Sequence, residues 1–235
     1  DLTGRLVGRR IELDGRANAY GGSATTKGFI VTPSQGRALA FDLSGRAEGI
    51  DLRNLPASVG APRVETNLSV ASYTIRGTGG RIEGTAELRE STMEGATLAE
   101  GTRAEFRVEP RAISYSAQGQ VADLDLERVG RAFAIAALAK PEYASRVNGE
   151  FDVSGSLPRR QPGRREGAST LAEMTLVAAG RLKDSEIMGG RLPDLGFETH
   201  LTNGALNVRV DGSFENFDPA RIAAQPRLEG NVSGA

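Results

Sequence analysis

Alternation of apolar and polar residues dominates the chain. Leu39, Phe41, Leu43, Gly45 and Ala47 alternate with Ala40, Asp42, Ser44, Arg46 and Glu48. The same period runs through Ile82 to Leu88, Val147 to Leu157 and Leu206 to Phe214. Successive strand residues face opposite sides, so each segment predicts a strand with one apolar and one wet face. Such one-sided burial belongs to antiparallel sheets. Roughly a dozen segments of this kind, divided by turn signals such as Gly21-Gly22, Gly79-Gly80 and Asn203-Gly204, predict a mainly β fold.

One stretch changes period. From about Leu126 to Ala139 the apolar residues Val129, Phe133 and Ala136-Ala137 recur at helical spacing, and Pro141 stops the run. The segment 158–168 is rich in Arg, Pro and Gly and predicts an exposed loop.

The chain also repeats itself. Phe41 to Pro56, Tyr115 to Gly130 and Val208 to Ala223 align without gaps. Each carries a glycine (Gly45, Gly119, Gly212), an aspartate six positions later (Asp51, Asp125, Asp218) and an apolar residue four further on (Leu55, Val129, Ile222). Upstream, Glu90 to Leu98 resembles Asp184 to Leu192, with Ser91 matching Ser185 and Gly95 matching Gly189. The copies span about 12–57, 85–130 and 179–223 of one repetitive 1–235 unit. Each repeated aspartate is expected to cap a short helical turn, since Asp is favoured at the N-cap and Pro219, after Asp218, is favoured at the first helical position. The ends, Asp1 to Gly4 and Arg227 to Gly230, both resemble Arg146 to Gly149, so the chain is expected to be a slice of a longer protein.

Composition sharpens this picture. Glycine supplies 30 of 235 residues, nearly twice the usual share, while aromatics make up 5% and tryptophan is absent. Such a chain has little bulk with which to fill a compact core. A formal charge of −1 argues against a nucleic-acid partner, which needs a basic face. The one arginine cluster (Arg159, Arg160, Arg164, Arg165) falls in the predicted loop. Without cysteine there is no disulfide, and no run of 18 apolar residues spans a membrane.

No catalytic constellation emerges. His200 is the sole histidine, and Gly77-Thr78-Gly79-Gly80 lacks both the last glycine and the βαβ setting of a dinucleotide loop. The abundant carboxylates fall on the polar strand faces. The expectation is therefore a protein that is not an enzyme, with no metal site and no cofactor.

The segments SGRAEGIDLRNLP, QGQVADLDLERVG and DGSFENFDPARIA, the last followed by LEGNVSG, resemble the AsmA-like and TamB families of bacterial envelope proteins. The likeness covers most of the chain. It implies a long, curved antiparallel sheet folded into a U- or taco-shaped groove with a few short helices. It implies a periplasmic place, anchored to the inner membrane through a segment outside this chain. The expected function is a bridge along which phospholipid moves toward the outer membrane, with phospholipid, further repeats of the same chain and an outer-membrane barrel protein as partners. The expected groove lining is Leu39, Phe41, Leu43, Ile113, Tyr115, Phe151, Val153, Leu206, Val208 and Val210. Glycine would keep that lining thin, and acyl chains would supply the missing apolar volume. Two alternatives remain open: a scaffold for assembly of outer-membrane β-barrel proteins, and a structural β-sandwich or adhesin segment with a filled interior.

Overall fold

The structure, a computed structural model, describes residues 1–19, 21–34, 36–56, 63–133, 135–136, 138–158, 174–218, 220 and 230–235. Its strands are β1 (Leu2–Val7), β2 (Arg10–Ala19), β3 (Gly22–Val31), β4 (Ala40–Ile50), β5 (Thr66–Thr78), β6 (Arg81–Leu88), β7 (Ser91–Met93) and β8 (Ala96–Leu98). They continue with β9 (Arg103–Val108), β10 (Ala112–Leu124), β11 (Ser145–Pro158), β12 (Thr175–Ile187), β13 (Gly190–Thr202), β14 (Ala205–Phe217) and β15 (Val232–Gly234). All fifteen belong to one antiparallel sheet, with neighbours mostly consecutive in sequence. The fold is mainly β. Where β6 and β9 end early, the β7–β8 hairpin takes their lane between β5 and β10.

Tight turns explain the meander. Gly79-Gly80, Asn203-Gly204, Glu94-Gly95 and Met188-Gly189 hold positive φ at both positions. That is the backbone of the two-residue hairpin turn whose twist matches right-twisted strands. At the β2–β3 hairpin Gly21 has φ +85°, while Gly22 already opens β3.

The predicted helix is shorter than its pattern. α1 covers Leu126–Ala132 only, rather than reaching Ala139. A side chain on Gly130 would lie 2.5 Å from the backbone of Leu138 and Ala139. This glycine lets the second half of the apolar run fold back on the first, where the Ile135 N–H donates to Gly130 O at 2.7 Å. The expected loop 158–168 also shifts at its start: Pro158 ends β11, opposite Ala112, and 159–168 lie outside the described residues.

Most of the buried side chains gather at one end of the strands, with Leu201 buried at the other. Ala47, Val64, Leu88, Ala96, Leu98, Val147 and Leu192 pack there with Thr66, Ser91, Thr102 and Ser185. The serines and threonines satisfy backbone groups. Ser91 Oγ accepts from Ser69 N–H at 3.0 Å and donates to Arg89 O at 2.9 Å. Ser185 Oγ accepts from Asn148 N–H at 2.9 Å, with Asn148 O at 3.0 Å and Lys183 O at 3.2 Å as acceptors for its own proton. The pair matched in the sequence repeat thus makes the same bonds in two places.

Candidate apolar binding face

Strand register decides which residues share a face, because directly opposed residues point the same way. Ile11 opposes Ile30, Ile30 opposes Phe41, and Phe41 opposes Gly77. The row continues through Ile82, Val108, Ile113 and Leu157. A second row runs Leu13, Gly28, Leu43, Ile75, Gly84, Phe106, Tyr115, Gly155, Leu176, Leu201 and Leu206. Phe151 and Val153 of β11 stand on the same face, opposite Gly119 and Ala117. So do Val208 and Val210 of β14, opposite Thr199 and Phe197. Nine of the ten expected lining residues therefore share one surface. Leu39 differs: it precedes β4, outside any strand, and is 46% exposed.

Aromatics and glycines on this face are paired across strands. Phe41 opposes Gly77, Tyr73 opposes Gly45, Phe106 opposes Gly84, Tyr115 opposes Gly155, Phe151 opposes Gly119, and Phe197 opposes Gly180. A methyl group added to Gly84 would stand 2.4 Å from Cε1 of Phe106, and one on Gly155 would stand 2.6 Å from the Tyr115 hydroxyl. Phe217 over Gly190 and Phe214 over Gly234 repeat the contact. Rings lie across glycines, so the face is apolar with low relief.

The face is sheltered without being filled. Phe41, Leu43, Ile113, Tyr115, Phe151 and Val153 are half-buried. Burial pushes the Tyr115 phenol above its ordinary pKa. Yet Phe106, in the middle of the sheet, remains 39% exposed, and Leu206, Val208 and Val210 remain about 60% exposed. A sandwich core would have buried these side chains.

The opposite face is charged. Cross-strand pairs include Lys27–Asp14, Arg76–Asp42, Arg107–Glu83 and Arg209–Glu198. The tightest joins Arg181 to Asp194, which holds the Asp194 carboxyl below its usual range. A cleft of about 390 Å³ on this side lies among Thr74, Arg76, Glu83, Thr85, Glu105 and Arg107. Its bordering acids and bases largely neutralise one another. His200 lies here too, exposed, between Val177 and Asn207.

The three aspartates occupy equivalent places. Asp51 Oδ1 accepts from Arg53 N–H, Asp125 Oδ1 from Glu127 N–H and Asp218 Oδ1 from Ala220 N–H, each at 3.0 Å. The next strand adds to the cap: Leu52 N–H donates to Thr66 Oγ1 at 2.9 Å and Leu126 N–H to Ser145 Oγ at 2.8 Å. Ile222 lies outside the described residues. A further column went unread in the sequence. Two residues before each aspartate, Gly49, Asp123 and Asn216 have φ of +69°, +58° and +59°. Gly, Asp and Asn are the residue types that tolerate this left-handed backbone, so their alignment was a usable signal. These residues sit at bulges that end the strand before the cap.

Among the described residues no group of three acidic or imidazole side chains could hold a metal ion, and no helix is long and apolar enough to cross a membrane. Compared with family models, curated proteins and solved structures, the chain matches none of them.

Proposed function

We propose that the apolar face is a track for phospholipid acyl chains, in a segment of a bridge-like lipid-transfer protein of the bacterial periplasm. One observation carries this reading: a single apolar face runs from Leu6 in β1 to Val210 in β14, and mid-sheet Phe106, its ring seated on Gly84, stays 39% exposed. In this reading the sheet curls into a groove around the apolar side, and acyl chains fill the space that glycines leave. Such a track needs no reacting group. It needs a wall that accepts any chain, with few polar handles to arrest sliding, and the flattened rings provide that. Charged groups on the other face keep the outside wet.

The test is to express the chain in bacteria, purify it without detergent, and analyse bound lipid by native mass spectrometry and solvent extraction. Phospholipid is expected in stoichiometric or greater amount. Protein that keeps its strand content yet carries no phospholipid, and takes none from vesicles, would sink the reading.

A further inference from the structure

Charge is distributed unevenly between the two ends of the strands. The β1–β2, β3–β4, β5–β6 and β9–β10 turns lie at one end, and each has an arginine in it or beside it: Arg9, Arg37, Arg81 and Arg111. Arg37, Arg81 and Arg111 are exposed, and among the described residues no ion pair or side-chain hydrogen bond engages them. Arg9 is half-buried and donates to Ser34 Oγ and Thr32 O, neutral oxygens that leave its charge intact. Glu109 is the one acid among the described residues of these turns, and it makes no ion pair there. At the other end of the strands the bases of the connecting segments are neutralised. Arg53 pairs with Asp51 and Glu65, Arg89 with Glu48, Arg131 with Glu127 and Lys140 with Glu142.

The free cations border the apolar face. Its outermost row, through Leu6, Ile30, Phe41, Ile82 and Ile113, stands one residue in from the strand ends that carry these turns. A cavity of about 400 Å³ lies across the border, with Gly77 and Ile82 lining it from the apolar row and Arg81, Arg107 and Glu109 from the charged groups. Consecutive turns are two strands apart, so the arginines recur about every 10 Å. A guanidinium without a carboxylate partner presents a planar fork of donors that matches phosphate oxygens, and its aliphatic stem lies readily on apolar surface.

We propose that this end of the sheet is a rail for the phosphate groups of lipids, with Arg37, Arg81 and Arg111 as the groups that bind them. The inference rests on the acyl-chain reading above. Each tail runs from the rail down the strands over the apolar face, and the phosphate stays at the turn, where water reaches the rest of the headgroup. Exposure keeps each contact weak, so a phosphate passes from one arginine to the next as the lipid crosses the strands. The rail selects lipids that carry phosphate over uncharged lipids with the same tails.

The test equilibrates the lipid-free full chain with vesicles holding equal amounts of phosphatidic acid and diacylglycerol of one tail composition, and quantifies the lipid on the separated protein by mass spectrometry. The parent chain should take up phosphatidic acid in about fivefold preference. The triple variant Arg37→Gln, Arg81→Gln, Arg111→Gln should lose the preference and keep the total load, with diacylglycerol making up the difference. Glu109→Gln should raise the preference. Arg5→Gln, Arg16→Gln and Arg46→Gln together make the same change in net charge at exposed, unpaired positions on the charged face and should leave the preference as it is. Inorganic phosphate at the lipid concentration should displace nothing; displacement would make the rim a site for free phosphate. An equal loss in the two triple variants would overturn the rail, because net charge alone would then explain it. Equal uptake of the two lipids by the parent chain would sink the rail alone, whereas uptake of neither would sink the acyl-chain track and the rail with it.

Discussion

The ring of Phe41 lies across Gly77, 36 residues away in sequence, so closely that a methyl group on that glycine would stand 2.4 Å from Cε1 and Cζ. Gly77→Ala should therefore push the ring off the sheet and cost about 1–3 kcal/mol, as overpacking does. At Gly45 the obstacle is backbone, since a new methyl would stand 1.8 Å from Thr25 O. Gly45→Ala should cost more than Gly77→Ala, because a carbonyl in a ladder cannot swing aside. Gly4 shares the apolar face with nothing closer than 3.8 Å, so Gly4→Ala should stay within about 0.5 kcal/mol. Urea denaturation of the three variants checks the order. Equal effects would mean that ring seating is not why these glycines are there.

Asp125 ties two elements with one oxygen. Its Oδ1 accepts from Glu127 N–H at 3.0 Å, opening α1, and from Ser145 N–H at 3.2 Å, opening β11. Asp125→Ala should cost about 1–2 kcal/mol. Asp125→Asn, which keeps an acceptor oxygen, should recover most of that. Hydrogen exchange at Leu126–Ala132 should speed up in the Ala variant first, because the helix start loses its partner.

Two carboxylates give the chain an acid limb. The Arg53 side chain and backbone N–H hold Asp51 below the ordinary carboxylate pKa, and Arg181 does the same for Asp194. Groups with lowered folded-state pKa stabilise the fold fully above their unfolded pKa and lose that contribution as pH falls through the folded values. Stability should thus hold above about pH 4 and fall below it. Both arginines are exposed to solvent, so the effect is small and salt-sensitive. Combining Arg53→Gln with Arg181→Gln should flatten the limb in thermal melts between neutral and strongly acid pH. An unchanged limb would assign it to other carboxylates.

The apolar face was legible because a one-residue slip would invert every side chain, so alternation alone assigns Phe41, Tyr115 and Val208 to a side. Their joining into one surface was not legible, because it depends on register between strands. The pairing of Phe106 with Gly84 hid for the same reason: neither residue is unusual locally. The helix over-ran because spacing predicts a face and says nothing of what meets it. At Gly130 the returning chain took the place of the next turns. Leu39 carried the right period but fell one residue short of β4, where ladder pairing ends. The aspartates were readable from a local rule of helix starts, whereas Gly49, Asp123 and Asn216 needed the copies compared position by position.

If acyl chains run over the apolar face, its most exposed mid-sheet ring is the place to interrupt them. Phe106 is 39% exposed, so Phe106→Asp gives up the ring's seat on Gly84 and places a charge in the path. Burying that charge beneath a lipid chain costs several kcal/mol unless it is paired, and the apolar face around it offers Tyr115, Gly84 and Ala104 rather than a base. Phospholipid carried by the purified chain should fall by about tenfold or more, the effect of the loss of even 1.4 kcal/mol per bound chain. Glu105→Gln changes the neighbouring strand position on the charged face and should leave the load unchanged. Val208→Asp places a charge on the same face in β14 and should act in the same direction. Equal loads in Phe106→Asp and the parent chain, with strand content intact, would place any bound lipid elsewhere. A loss in Glu105→Gln as large as in Phe106→Asp would exchange the two faces.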